Sequence, residues 1–246
     1  MENLTRYPWL IFVAAFAALW LASVMGSWLR RRNSSAEDEQ REDLGIILGA
    51  TLTLLALIIG FSISMASSRY DQRKNLEEAK ANAIGTEMLR ADLLPPADAA
   101  HVRSLLGAYL DQRILFYINR DATRQPQIDQ STSQLQTDLW VAVRGPAAAQ
   151  QTPVMALVLA GMNDVINSQG YTQAECGGSR WPSHFVLTCC SAFGLGMVKP
   201  RENSLSCCRF LVAIAFLLIA DIDAPRRGLI HVRPQNLEAL AKSFGR

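Results

Sequence analysis

The sequence predicts an all-α, multi-pass membrane protein with four transmembrane helices and a helical cytoplasmic region between the second and the third. Half of the 246 residues are hydrophobic and only 19% are charged, whereas about a quarter of a typical soluble domain is charged. The apolar residues lie in blocks of membrane-spanning length, and the polar stretch between them has helical periodicity. The net charge of +2 gives no reason to expect a nucleic-acid partner.

The first span is predicted at residues 7–29. The stretch from Pro8 to Leu29 contains no charged residue, and about 20 helical residues are enough to cross the hydrocarbon core. Trp9 and Trp28 lie near its ends, where aromatic rings favour the membrane interface. The alternative is a cleaved signal peptide, but this apolar run is long for one.

The second span is predicted at residues 44–68, where the chain is again uncharged and has no polar face. Gly45 and Gly49 form a GxxxG pattern, which lets two membrane helices approach closely. Basic residues near the span ends predict that both termini are cytoplasmic and that residues 30–43 lie outside. The three arginines at 30–32 argue for the opposite orientation. We expect the protein in the cell (inner) membrane, in contact with lipid.

The cytoplasmic region, residues 69–168, is predicted to be helical. No turn signal separates it from the second span, so one long helix is expected to leave the membrane and end at Pro95–Pro96. The other expected features are helices at about 98–119, 134–143 and 153–166, a polar connection at 120–133, a break at Gly145–Pro146 and a turn at 167–171. The region is marginal as an independent domain, which favours packing between copies in a homo-oligomer.

The last two spans are predicted at residues 183–198 and 204–222, and both are shorter than usual. All five cysteines lie between Cys176 and Cys208, without the spacing of a zinc site. The sequence contains no nucleophile elbow, phosphate-binding loop or metalloprotease motif. No enzymatic activity is therefore expected.

Several segments resemble a known family. The run IIGFSISMASSRYDQRKNLEEAKANAIG, with Gly60–Phe61 followed by Arg69–Tyr70, is similar to the second transmembrane helix of the bestrophins. The segments GMNDVINSQGYTQ and IADIDAPRRGLI resemble the bacterial bestrophin-like proteins. The resemblance covers about residues 7–175 and 210–246. It implies a four-helix protomer in a ring, whose second helix lines a pore for chloride or another anion.

The resemblance also implies which residues line that pore. In bestrophins three apolar residues at successive turns form the neck, and the matching positions are Thr53, Leu57 and Phe61. Leu57 and Phe61 are suited to a constriction that dewets, whereas Thr53 departs from the apolar pattern. Gly60 and Ser64 belong to a stripe of small and polar residues, which faces either water in a pore or another helix.

Bestrophins bind calcium with an acidic cluster after the last helix, and the corresponding residues are Asp221 and Asp223. Two carboxylates do not fill the six to eight oxygen positions that calcium requires. The alternative is that they cap a helix or pair with a neighbouring arginine, so no cofactor is expected, with calcium as the weaker option. Two interpretations are also open for a group of three polar residues, which either form a polar helix end or bind a partner: Asn163, Asp164 and Asn167.

Residues 176–209 depart from the family pattern, which has a Leu- and Ile-rich helix pair in this region. We interpret them as encoded in a shifted reading frame, because a run of leucine codons read one base out of frame gives cysteine codons. The alternative is a divergent helix pair. Two functions from different classes remain: an anion channel, and a non-conducting membrane scaffold or sensor whose middle helices bind a partner.

Overall fold

The protein was analysed as a computed structural model, which divides into two compact units, residues 1–69 with 179–231 and residues 70–178 with 232–246. The described parts of the chain are residues 39–119, 121, 123–177, 214–215, 217–219, 221–222 and 230–245, together with helical positions 13, 17, 20, 21 and 24. Within these parts the chain is helical and contains no strand.

The longest element is α1, which runs from Glu39 to Arg90 without interruption. At 1.5 Å per residue its 52 residues extend about 78 Å. A single 3-10 turn, Ala91–Leu93, follows it, and Pro96 begins the next helix. The predicted continuity of the second apolar block with the polar sequence after it is therefore confirmed.

Within the described residues, one helical stretch is long and apolar enough to cross a membrane by length and composition, and it covers Thr53–Leu93. The described positions between residues 13 and 24 are helical and exposed. The described positions between residues 214 and 222 are helical as well, and most of them are buried or half-buried. The span predicted at residues 183–198 lies outside the described residues, as do residues 178–209 of the cysteine-rich window.

Four further helices, with the end of α1, form the second unit: α2 Pro96–Ile118, α3 Gln125–Ala149, α4 Pro153–Gly177 and α5 Gln235–Ser243. Helix α2 packs against α3 and α5, and α3 packs against α4. One apolar core joins them, and its fully buried members include Ile84, Val102, Leu106, Leu110, Leu139, Val143, Met162, Val165 and Leu237. Burying each such side chain stabilises the fold by roughly 1.5–3 kcal/mol.

Helix α3 is much longer than predicted, since residues 125–133 are helical and not a polar connection. A side-chain pair one turn apart supports the helix here in place of apolar contacts, and hydroxyl groups donate back to its carbonyls. Gln125 Nε2 donates to Asp129 Oδ1 at 2.9 Å, and Ser133 Oγ donates to the Asp129 carbonyl at 3.0 Å. Thr132 is fully buried and donates to the Ile128 carbonyl at 2.6 Å. These bonds are not visible in a hydrophobic pattern.

The predicted break at Gly145–Pro146 is also wrong, because α3 continues to Ala149. Pro146 lies in the last turn, where the missing N–H removes one hydrogen bond without interrupting a long helix. Its carbonyl accepts the backbone N–H of Gln150 at 3.0 Å. Val143 and Ala147 on either side are buried in the core, which stabilises this end of the helix.

The predicted turn at residues 167–171 does not form, and α4 continues to Gly177. A glycine inside a helix costs about 1 kcal/mol relative to alanine, so Gly170 alone does not end the helix. Beyond it, Thr172 is buried and its Oγ1 accepts Lys80 Nζ at 2.7 Å, which attaches this end of α4 to α1. As a result Asp164 and its polar neighbours lie within a helix and not at its end.

Candidate functional site

The predicted pore-lining residues lie together on one side of α1 in the first unit. Thr53, Leu57, Gly60, Phe61 and Ser64 are all exposed, with 54% of Leu57 and 62% of Phe61 accessible. The buried residues of this part of α1 are on the opposite side of the helix at 100° per residue: Leu55, Ser62 and Ala66. One side of the helix therefore packs within the chain and the candidate pore side does not.

The contacts of Thr53 and of the glycines further describe this candidate pore side. The hydroxyl of Thr53 donates to the Gly49 carbonyl at 2.9 Å, so its proton is used within the helix. No described atom comes within 4 Å of a Cβ placed on Gly49 or Gly60. Gly45 lies in the same helix, and the predicted close packing of Gly45 and Gly49 against another helix stays a prediction.

The acidic pair after the last span is described only in part. Asp221 is buried, and its Oδ2 accepts the backbone N–H of Ile230 at 2.8 Å. The carboxylate therefore holds the backbone of Ile230, nine positions further along the chain. Asp223 lies outside the described residues, so a joint role of the two carboxylates stays a prediction.

The second unit contains buried charged residues that hydrophobic pattern analysis did not single out. Glu77 of α1 is 1% exposed, and its Oε1 accepts the backbone N–H groups of Asn236 and Leu237 at 3.1 and 3.0 Å. Its Oε2 accepts Asn236 Nδ2 at 2.7 Å. The residue before α5, Pro234, provides no side-chain cap, so the cap comes from a distant part of the chain. Nothing in the local sequence around Glu77 indicates that its side chain caps α5.

Lys80, one turn further along α1, is also fully buried. Its Nζ donates to Thr172 Oγ1 of α4 at 2.7 Å and lies 5.7 Å from the centre of the Tyr117 ring. Tyr109 of α2 is buried as well and donates to the Val165 carbonyl at 3.4 Å. Burial raises the pKa of the Tyr109 hydroxyl. These polar contacts connect α1, α2 and α4 inside the core.

Glu87 is a further buried charged residue of α1, and its side chain is 0% exposed. Burial raises the pKa of its carboxyl group to about 7, with Arg90 opposing the increase and Asp164 of α4 adding to it. Arg90 Nη1 is 3.7 Å from Glu87 Oε2 and donates to the Leu157 carbonyl at 3.3 Å. A carboxyl group in this state changes its charge near neutral pH.

An open groove of about 460 Å³ lies between α3 and α4. Its lining is neutral and mostly polar: Ser133, Gln136, Ile166, Asn167, Gln169, Gly170 and Tyr171. Gln136 Nε2 donates to the Ile166 carbonyl at 3.1 Å. Ser133 Oγ donates to the Asp129 carbonyl of its own helix. The lining contains no charged side chain that would attract an anion.

A family match and matches to solved structures point to the same kind of protein. Residues 13–237 match the family described as the bestrophin-like domain. The chain is similar in fold to a bacterial bestrophin homologue from Klebsiella pneumoniae, solved with a point substitution, at a TM-score of 0.60 and 13% identity over 96% of both chains. A second substituted form of that protein gives a TM-score of 0.58 at 14% identity, covering 95% of this chain and 94% of the other.

A third solved structure, described as a membrane protein, gives a TM-score of 0.60 at 14% identity over 95% of each chain. No curated protein matches the sequence significantly. At these identities the structural comparisons establish the fold.

Proposed function

Because this chain belongs to the bestrophin-like family, we propose that it is an anion channel whose α1 helix lines the pore. One observation carries the proposal: the residues at the family's neck positions are exposed on one side of α1, opposite its buried side. Neighbouring large apolar side chains exposed on a membrane helix contact lipid or another copy, or line a functional surface. Copies arranged around an axis would bring these residues into a ring.

The pore proposal assigns separate roles to the residues on this side of α1. Leu57 and Phe61, one helical turn apart, would form an apolar constriction that gates by dewetting. Ser64 and Gly60, beside Phe61, would provide a small, polar and wettable surface. Thr53 would form the outermost ring, where its hydroxyl proton is already donated to Gly49.

The remaining parts of the proposal concern the assembly. The protomer would have four transmembrane helices in the inner membrane, with both termini cytoplasmic, and copies would assemble through surfaces that include Gly45 and Gly49. We propose no enzymatic activity and no cofactor. The role proposed for Asp221 is structural, supported by its bond to the Ile230 backbone, so conduction would not require calcium.

The proposal is tested on the full chain purified in detergent. We expect a homo-oligomer by mass measurement and chloride efflux from liposomes that contain the protein, unchanged by a calcium chelator. An oligomer that passes no chloride or other small anion would favour the membrane scaffold and contradict the channel. Efflux that requires calcium would contradict the structural role proposed for Asp221, but it would not contradict the channel.

A further inference from the structure

The contact between the end of α1 and α4 encloses a carboxyl group with unusual surroundings. The side chain of Glu87 is 0% exposed, and within the described residues neither of its oxygens accepts a hydrogen bond. Its nearest cation, Arg90, is 3.7 Å away, beyond hydrogen-bond distance. Arg90 instead donates to the Leu157 carbonyl of α4. Burial disfavours the ionised form of a carboxyl group that accepts no hydrogen bond, and the ion pair with Arg90 offsets that effect only in part.

The facing helix approaches this carboxyl group very closely. A Cβ placed on Gly161 would overlap Glu87 Oε2 and Arg90 Nη1. Gly161 is itself buried, so the α4 backbone lies directly against both side chains. The packing leaves no room at this point for a carboxylate to gather a hydration shell without separation of the helices.

The charges around Glu87 are few and can be named by element. Arg90 belongs to α1 and Asp164 to α4. Asp92 of the 3-10 turn is ion-paired with Arg103 of α2. Because Asp164 carries the same charge as an ionised Glu87, it disfavours ionisation, and Arg90 favours it. Burial exceeds both effects, which is why the pKa of Glu87 rises to about 7.

We propose that Glu87 makes the α1–α4 contact proton-sensitive: the neutral carboxyl group fits the tight packing, and its ionisation loosens the contact. The direction follows from linkage. Since the folded state holds the proton more strongly than the unfolded chain, this contribution to stability is complete below about pH 4.5, decreases as pH rises and levels off above about pH 7.

The proposal extends to regulation, where it rests on the proposed channel function. The same continuous helix, α1, carries Glu87 and the candidate pore residues Leu57 and Phe61. A change at the α1–α4 contact would therefore act on the helix that lines the pore. Conduction would respond to pH on the side of the membrane that holds the second unit.

The first experiment does not depend on conduction. Hydrogen exchange of the α4 segment Val154–Ile166 is measured in the full chain between about pH 5.5 and 8.5, corrected for the intrinsic pH dependence of exchange. We expect wild type to lose protection as pH rises and Glu87→Gln to keep it. Glu78→Gln, which changes an exposed carboxylate of the same helix, is the control and should behave as wild type.

A second variant keeps the titrating group in case Glu87→Gln folds poorly. Asp164→Asn removes the like charge, so the pKa of Glu87 should fall and the loss of protection should be smaller and level off at lower pH. Superimposable profiles for wild type and Glu87→Gln, or no change in Asp164→Asn, would overturn the proposal.

The regulatory part is tested by chloride efflux from liposomes at about pH 6 and pH 8, with the same variants. Efflux that changes with pH in wild type but not in Glu87→Gln supports it. Equal pH dependence in both proteins overturns the regulation. If no protein conducts, the channel function fails, while the exchange result decides the proton-sensitive contact separately.

Discussion

The carboxylate of Glu77 accepts the backbone N–H of Leu237 at 3.0 Å, which attaches the beginning of α5 to the side of α1. The two residues are 160 positions apart in the chain. A negative charge at a helix N-terminus also interacts favourably with the helix dipole. Leu237 and Ala241 then bury their side chains in the core of the second unit, so the polar cap and the apolar face stabilise the same docked position.

The substitution Glu77→Ala should release α5. It leaves the N–H groups of Asn236 and Leu237 without their acceptor, at a cost of about 1–3 kcal/mol for a buried unsatisfied group. We expect faster hydrogen exchange in the segment Val232–Ser243, measured by mass spectrometry on the full chain. Glu78→Ala, an exposed neighbour, should leave exchange there unchanged. Unaltered protection in Glu77→Ala would show that the cap does not hold the helix.

The substitution Gly161→Ala should destabilise the second unit, because the added methyl group meets Glu87 and Arg90. Overpacking of this kind typically costs about 1–3 kcal/mol. Gly170→Ala is the matched control in the same helix, since no described atom lies within 4 Å of the added group. There the better helix propensity of alanine should be neutral or stabilising by up to about 1 kcal/mol.

Thermal unfolding of the two alanine variants measures this difference directly. A further comparison assigns its cause: in the background Glu87→Ala, much of the cost of Gly161→Ala should disappear, because the two residues are in contact. Equal effects of the two glycine substitutions would contradict the close approach at Gly161.

The extent of α1 and the beginning of α2 could be predicted from hydrophobic periodicity and from the positions of the prolines. The long helix α1 follows from an uncharged block with no turn signal after it, and α2 begins at Pro96 as the Pro95–Pro96 pair predicts. The ends of α3 and α4 could not be predicted in this way. Polar side chains such as Gln125 and Asp129 support a helix through contacts one turn apart, and a hydrophobic pattern does not register them.

The candidate site was predictable only where local sequence determines it. The side of α1 that carries Leu57 and Phe61 could be identified from their spacing and a family resemblance. Glu77 and Glu87 could not, because their roles depend on Leu237 and Gly161, which lie far away in the chain. A charged residue in a helix is usually solvated, and only the tertiary structure shows that these two are buried.

The membrane topology gives an independent prediction. In a background without native cysteines, Ser35→Cys should react with an impermeant thiol reagent applied to intact cells, since residues 30–43 are predicted to lie outside. A cysteine introduced at Ser131, on exposed α3, should react only after lysis. The reverse pattern would show that the arginines at 30–32 set the orientation.

The most direct test of the channel is chloride efflux from liposomes containing wild type, Phe61→Ala or Ile63→Ala, each verified as the same oligomer. Phe61 and Ile63 are both exposed, but their side chains point about 160° apart on an ideal helix. We expect chloride efflux in wild type, a clear increase in Phe61→Ala because the apolar ring becomes wider and easier to wet, and no change in Ile63→Ala. No efflux from any of the three, or the same rate in Phe61→Ala as in wild type, would contradict a pore lined by this side of α1.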